Sequence, residues 1–311
     1  MKRFTPVLLL LCSSLLLAQS PNHNPNKGQP PILGPHWARG HAKRQAASKN
    51  DLIYHGGPIM VSPAVKAIFW GTGWASNPGD KITGMDAWYK GEAGTPYAAT
   101  VDEYKDSSGH QVSSALTYNG HLVDASSAPQ NPSTSAVLRE VCKEITNPVS
   151  NGYYPVYLDH KRKGNFCAYH SNGSCTVNGS SVNVQFAFFW TLDGDSGCDP
   201  NSSISGQSQG LQALANVSGH ELSEARSDPH GDAWFASNGS ENADECAWTF
   251  GGGFVKFNPP AGTNSNFVDW KIQGNWSNAA ADGTSANGPG YTTSLGTGCV
   301  DGTNYPGPLT K

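Results

Sequence analysis

The clearest helical pattern in the chain covers residues 207–228. Small and apolar side chains recur there at helical spacing and fall on one stripe of the helix. His220 and Glu224, four residues apart, lie on the opposite face, with two further carboxylates beside them. These carboxylates occupy the C-terminal half of the helix, where the macrodipole disfavours negative charge. The pattern therefore predicts a cation near this face, either a metal ion or Arg226.

Other stretches alternate in the way that is typical of strands. Runs of β-forming residues bounded by turn residues predict strands at 65–71, 153–158 and 182–191, of which the last is the most strongly patterned. A helix is predicted over 135–145, because apolar residues recur at helical spacing after capping Ser and Thr residues. Short strands separated by Gly, Asn and Pro turns are predicted at 252–257, 267–273 and 291–294.

The first 50 residues differ from the rest of the chain. Residues 1–20 combine Lys2 and Arg3 with an apolar run too short to span a membrane, which is typical of a secretory signal peptide. Residues 21–50 are rich in Pro, Asn and Gly without apolar periodicity, which indicates a flexible linker or a pro-segment. The pair Lys43-Arg44 is a candidate processing site, with a solvated linker as the alternative. Residues 51–311 are then predicted to form one α+β domain.

Charge and cysteine content restrict the cellular setting. The chain has 24 Asp and Glu against 20 Lys and Arg, which argues against a nucleic-acid partner. No second apolar stretch reaches the ~18 residues of a membrane span, so we expect no stable membrane insertion. Six of the seven cysteines follow residue 20, and an even number in an exported chain predicts three disulfides and an extracellular location. Cys167 and Cys175, which bracket Asn172-Gly173, are the first predicted pair.

The helix at 207–228 carries the sequence H-E-x-x-E. In the zinc-protease motif H-E-x-x-H, two histidines one turn apart bind the ion and the intervening Glu activates water. Here His220 and Glu224 are the predicted ligands, since Glu also binds zinc and the spacing still directs both groups to one point. Glu221 is then the candidate general base.

A third ligand is expected downstream of the helix. Asp244 is favoured because the loop before it is long enough to fold back beneath the helix, and Cys246 could fix that loop through a disulfide. Two carboxylates with one imidazole form a hard site, which admits calcium, manganese or magnesium as well as zinc. The alternative is that the polar helix face is merely solvated. Further candidate ligands are Glu241, Asp228, His160, His170 and His230.

With those residues in place, the chain resembles the exordium-like, or phosphate-induced, protein family of plant cell walls and its bacterial relatives. The resemblance implies an extracellular protein linked to growth and cell-wall responses, without an established catalytic mechanism. The Pro/Asn-rich start and Gly/Ser-rich composition fit a bacterial-type member better. The matching segments are Tyr54-His55-Gly56-Gly57-Pro58, Trp70-Gly71, Phe166-Cys167-Ala168-Tyr169-His170, Phe188-Phe189-Trp190, residues 219–225 with Asp228-Pro229, and Ala233-Trp234-Phe235 continuing to residues 241–246.

Two functions are consistent with these observations. The first is a secreted, metal-dependent, peptidase-like hydrolase, with a zincin-like mixed sheet packed on the helix at 207–228. Its substrate would be a peptide. The second is a non-catalytic extracellular or cell-wall-associated binding module with a structural metal or none. In that module, aromatic residues on the surface would bind glycans, and the candidates are Trp234, Trp248, Trp270 and Trp276.

Overall fold

The computed structural model describes residues 29–41, 51–258, 267–282, 292–293 and 295–303. The predicted signal peptide and the pair Lys43-Arg44 lie outside the described residues. Within them, the helices are α1 (Thr72–Ser76), α2 (Lys81–Glu92), α3 (Thr134–Glu144), α4 (Gln209–Ser227) and α5 (Asn278–Ala281). The strands are β1 (Leu33–Trp37), β2 (Ile53–Tyr54), β3 (Ala64–Trp70), β4 (Thr117–Asp124), β5 (Gly152–Lys161), β6 (Phe166–Val177), β7 (Ser180–Thr191), β8 (Trp234–Phe235), β9 (Val255–Lys256), β10 (Asp269–Trp270), β11 (Asn275–Trp276), β12 (Thr292–Thr293), β13 (Gly296–Thr297) and β14 (Cys299–Val300).

A mixed sheet of six strands forms the centre of the fold, in the order β1-β6-β7-β5-β3-β4. Strands β4, β3, β5 and β7 run parallel, whereas β6 is antiparallel to β7 and β1 is antiparallel to β6. The predicted α+β class is confirmed. Strands β3, β5 and β7 correspond to the strands predicted at 65–71, 153–158 and 182–191. They are largely buried, as parallel strands covered on both faces are.

Helix α4 packs against β6, β7 and β1 and also contacts α2 and β10. Ser208 caps its first turn by accepting a hydrogen bond from the Leu211 amide at 3.1 Å. The expectation of a solvated polar face is wrong, because every residue from 210 to 227 is buried. Segments that follow the helix cover this face, as shown by the bonds of Ser223 to Asn242 and Asn275.

Residues 33–37, within the stretch that was predicted to be a linker, are part of this sheet. Residues 21–50 were predicted to be a flexible linker or a pro-segment. The linker interpretation is wrong for the described part, because Leu33–Trp37 forms β1. Leu33 pairs with His170 and His36 pairs with Ala168 of β6, and both Leu33 and His36 are buried. Main-chain hydrogen bonds form this pairing. They do not require a periodic pattern of apolar side chains, so the sequence did not indicate the strand.

Three disulfides are present, as predicted, but the first predicted pair is wrong. Cys167 and Cys175 lie on the same strand, β6, and eight residues of extended chain separate them by about 26 Å. The bonds are Cys142–Cys175, Cys167–Cys198 and Cys246–Cys299. Such a set fits an oxidising compartment. Among the described helices, none is long and apolar enough to cross a membrane.

Candidate metal centre

The three predicted ligands lie together. His220 Nε2 is 3.1 Å from Glu224 Oε1, as expected for side chains one turn apart on α4. Asp244 approaches from the following loop, with Oδ1 3.7 Å from His220 Nε2. The Asp244 amide also donates a hydrogen bond to Glu224 Oε1 at 3.0 Å. The three groups therefore form a cluster with the composition and spacing of a metal-binding set.

A second set adjoins the other oxygen of Glu224. His170 Nε2, on β6, lies 3.1 Å from Glu241 Oε2 and 3.9 Å from Glu224 Oε2. These three groups also have the spacing of a metal-binding set. His170 and Glu241 were among the further candidates from sequence. Glu224 thus belongs to both sets, with one oxygen directed to each.

Residues 241–246 bring Glu241 and Asp244 to the helix, and two features fix this loop. The Cys246–Cys299 disulfide closes it, as the sequence suggested. Asn242 donates hydrogen bonds to the Ser223 carbonyl at 3.0 Å and to Ser227 Oγ at 2.6 Å, both on α4. The loop is therefore held at the last turns of the helix.

The other candidates have different partners. Asp228 Oδ1 accepts hydrogen bonds from the amides of Asp232 and Ala233, both at 2.8 Å, so this oxygen stabilises the turn after α4. His160 contacts the Ala128 carbonyl at 3.1 Å, and His230 contacts Gln185 at 3.1 Å. None of the three belongs to the two sets around Glu224.

The centre is buried and strongly acidic. Burial is the main cause that raises the pKa of each of its five carboxyls well above the ordinary value, and for four of them nearby carboxylates raise it further. Burial likewise lowers the pKa of His36 and His170 to about 4 and that of His220 well below its usual range. The imidazoles are thus neutral at pH 7 and do not offset the negative charge. The five carboxyls are Glu221, Glu224, Asp228, Glu241 and Asp244.

Arg226 is not the cation that offsets them. Its two terminal nitrogens bind Glu92 on α2 at 2.7 and 2.9 Å. Within the described part of the chain, no Lys or Arg forms an ion pair with any of the five carboxylates. The helix pattern predicted either a metal ion or Arg226 near this face. Because Arg226 is paired with Glu92, a metal ion is the remaining candidate.

Several polar atoms of the centre lack a hydrogen bond. Both oxygens of Glu221, Oε2 of Glu224 and Nε2 of His220 are buried without a side-chain hydrogen-bond partner among the described residues. Each such group costs about 1–3 kcal/mol when it stays unsatisfied. Zinc bonds of about 2.0–2.1 Å in tetrahedral geometry place neighbouring ligand atoms about 3.3 Å apart, which is close to the separations within each set. The donor atoms therefore fit a divalent ion.

Two residues near the centre gave no signal in the sequence. The Gln273 side chain donates from Nε2 to His220 Nδ1 at 3.0 Å and to the Ala243 carbonyl at 2.8 Å. Its Oε1 lies 2.8 Å from His36 Nε2. The His36 ring contacts that of His220 edge to face, with centroids 4.3 Å apart. A lone Gln and a lone His in turn-rich segments match no metal-site spacing, so sequence reasoning could not find them.

No family model, curated protein or solved structure matches this chain.

Proposed function

We propose that the chain is a metal-dependent hydrolase of the peptidase type, with an ion held at Glu224. The observation that carries the proposal is a group of five carboxylates with no Lys or Arg partner among the described residues, four of them buried and Asp244 with a side chain 14 % exposed. Burying a carboxylate costs several kcal/mol unless a cation or hydrogen bonds compensate. A divalent ion supplies that compensation within a cluster whose donor atoms already have ligand spacing.

The ligand type suggests which ions fit. His220, Glu224 and Asp244 provide one nitrogen and two oxygens, a set that accommodates zinc. The additional oxygens from the Glu241 side also suit calcium or manganese. A bound divalent ion polarises a substrate carbonyl and lowers the pKa of water.

Glu221 is the residue assigned to proton transfer. It follows His220 directly, is fully buried, and has no side-chain hydrogen-bond partner among the described residues. A carboxylate without a side-chain partner is available to accept a proton from an attacking water and to deliver it to the leaving amine. His170 and His36 flank it through their main chains on β6 and β1.

The setting supports the same assignment. An H-E-x-x-E helix packed against a mixed sheet with an antiparallel edge is the arrangement expected of a zincin-like enzyme. The three disulfides and the N-terminal apolar run support secretion. Membership of the exordium-like family, as a bacterial-type member, remains a prediction from the resemblance.

One observation favours a second function. His220, Glu221 and Glu224 are all 0 % exposed, and structural metal sites are closed whereas catalytic sites keep an open position. A non-catalytic extracellular or cell-wall-associated module braced by an ion would share these features. If that module binds glycans, Trp270 and Trp276 do not take part. They were expected on the surface, but they are buried, at 0 and 2 % exposure.

Metal analysis of the purified full-length chain tests the proposal. We expect about one zinc or other divalent ion per chain, lost in Glu224→Gln and kept in Glu221→Gln. Glu221→Gln should lower peptide hydrolysis by about 100-fold or more, since its role is proton transfer. Asp269→Asn, which removes an exposed ion pair with Lys256 and alters none of the metal-binding sets, is the control and should change neither property.

The outcomes separate the two functions. A wild-type chain without an ion, or a Glu224→Gln chain that keeps it, overturns the metal centre. An ion that is retained while neither the wild type nor the variants described below hydrolyse peptides favours the structural module. Hydrolysis unchanged in Glu221→Gln removes that residue from the mechanism.

A further inference from the structure

Residues 30–39 of the chain cover the candidate metal centre. Its strand β1 forms the end of the central sheet and pairs antiparallel with β6. The pairing is irregular, with register shifts on both sides of His36. The segment crosses the helix face that carries the metal-binding sets, since β1 contacts both α4 and the loop that provides Asp244.

The protein holds this segment mainly through its main chain. Thr134 and Ser171 hydroxyls donate to the carbonyls of Pro30 and Pro31, and Trp248 Nε1 donates to that of Trp37. Two main-chain bonds from Ala38 and Arg39 complete the set. Contacts of this kind recognise an extended chain independently of most of its side chains. Their lengths are 2.7 Å for Thr134 to Pro30, 2.7 Å for Ser171 to Pro31, 2.9 Å for Trp248 to Trp37, 2.9 Å for the Ala38 amide to the Asn165 carbonyl and 2.8 Å for the Arg39 amide to the Gly197 carbonyl.

Gly34 brings the main chain of the segment directly against the centre. A Cβ atom at this position would lie 1.8 Å from Glu224 Oε2 and 3.0 Å from His170 Cδ2. Polar contact with the Gly34 main chain raises the pKa of His220 and lowers that of Glu241, both against the larger effect of burial. Gly34 therefore touches both metal-binding sets, at a place where any side chain is excluded.

A ring pocket lies two residues beyond Gly34. The His36 ring packs edge to face between His220 and Trp248, with centroid distances of 4.3 and 4.4 Å. Gln273 binds its Nε2, and the side chain is 1 % exposed. The Arg39 guanidinium lies over the Trp248 ring at 4.2 Å. The protein thus holds the segment through its main chain and, in addition, requires a glycine at position 34 and accommodates a ring at position 36.

We propose that the place occupied by β1 is the site at which this protein binds extended peptides, and that residues 30–39 are its resident peptide. The preferred ligand has a glycine at the position of Gly34 and an aromatic or imidazole ring two residues later. The assignment of such peptides as substrates rests on the proposed function, whereas their binding does not. The resident segment excludes other peptides, because a tethered competitor acts at an effective concentration of about millimolar.

Displacement of the resident segment tests the proposal. The probe is a fluorescent peptide with the sequence of residues 29–41, added to the full-length chain. Gly34→Ala creates the clash with Glu224 and should release β1, so that the probe binds at least about 100-fold more tightly than to wild type. Gly40→Ala is the matched control, since Gly40 also has positive φ but a Cβ there would meet nothing within 4 Å. A probe carrying Ala at the Gly34 position should not bind.

Hydrogen exchange shows whether the variant acts as intended. Residues 30–39 of Gly34→Ala should lose amide protection while β7 keeps it. A released segment without probe binding, a retained segment, or equal probe binding to Gly34→Ala and Gly40→Ala overturns the proposal. If Gly34→Ala does not fold, exchange in the wild type decides. Opening of residues 30–39 without global unfolding supports a resident peptide, and exchange only through global unfolding overturns it.

The same variants separate this site from the proposed function. Probe binding by Gly34→Ala without any hydrolysis supports the peptide site and overturns the hydrolase. Hydrolysis that the probe does not inhibit in any variant keeps the hydrolase and overturns the peptide site. Increased hydrolysis in Gly34→Ala together with inhibition by the probe supports both.

Discussion

Arg226 on α4 donates hydrogen bonds from both terminal nitrogens to the carboxylate of Glu92 on α2, at 2.7 and 2.9 Å. Both side chains are 1 % exposed. The pair joins two helices on the far side of α4 from the acidic centre. One helix therefore carries two separate charge arrangements, a compensated one at Arg226 and an uncompensated one at Glu224. Only at the second do the described residues supply no Lys or Arg partner.

Breaking the buried pair should be costly. Glu92→Gln leaves the Arg226 charge buried without a carboxylate, which we expect to reduce the free energy of unfolding by about 3–5 kcal/mol. Urea denaturation measures the loss. The control is Lys256→Ala, which removes an exposed pair with Asp269 and should cost under about 1 kcal/mol. Equal effects of the two variants would contradict the assigned difference in burial.

The disulfides should differ in their effect on the centre. Replacing Cys246 and Cys299 by Ala, or Cys142 and Cys175 by Ala, opens loops of 53 or 33 residues and should cost about 4 kcal/mol in either case. Only the first double variant frees the loop with Asp244, so it alone should weaken ion binding, by about 10-fold or more. Ion titration followed by calorimetry measures this, and equal affinities in the two variants would contradict the role assigned to the loop.

Local sequence patterns predicted the elements that form the candidate metal centre. Helix α4, its H-E-x-x-E sequence and the approach of Asp244 followed from spacing, loop length and the nearby Cys246. These features depend on a helical period and short-range geometry, which a sequence records directly. The strands β3, β5 and β7 were accessible for the same reason, since buried parallel strands form continuous apolar runs.

Long-range main-chain pairing left no such record. Strand β1 contains Gly, Pro and His and has no alternation, yet β6 supplies its hydrogen bonds. Strand β6 itself includes Asn172-Gly173, a pair of residues that is typical of turns. Because the burial of α4 depends on these segments and on the loop after it, the pattern of one helix could not reveal it.

Removing the ion should reverse the pH dependence of stability. Above about pH 7.5 the histidines are almost fully neutral in both the folded and the unfolded state, so the five carboxyls of the centre dominate. Burial raises their pKa values in the folded state, so the folded chain binds more protons than the unfolded chain and its stability falls as pH rises. With a bound ion, protons compete with the metal, and stability should rise with pH instead.

Thermal unfolding at about pH 7.5 and about pH 9, with chelator and with added metal, measures both slopes. The chelated chain should melt at a lower temperature at the higher pH, and the loaded chain at a higher one. A chelated chain that is more stable at the higher pH would contradict the raised pKa values.

Gln273 should matter for both stability and ion binding. Gln273→Leu keeps the volume but leaves the Ala243 carbonyl and His36 Nε2 without their partner, which we expect to cost about 2–4 kcal/mol. It also frees the His220 ring to rotate, because the Gln273 amide fixes its Nδ1 side. Loss of an orienting partner typically lowers metal affinity about 10–100-fold.

The matched control is Gln212→Leu. Like Gln273, Gln212 is buried, but it lies in the N-terminal part of α4. Its side chain forms hydrogen bonds with Ser202 and the Gln207 carbonyl, away from the centre. This change should reduce the free energy of unfolding by a similar amount without altering ion affinity, because no group of the centre contacts it. Ion titration of both variants below their melting temperatures separates orientation of His220 from general destabilisation. Equal losses of affinity would show that Gln273 acts only through stability.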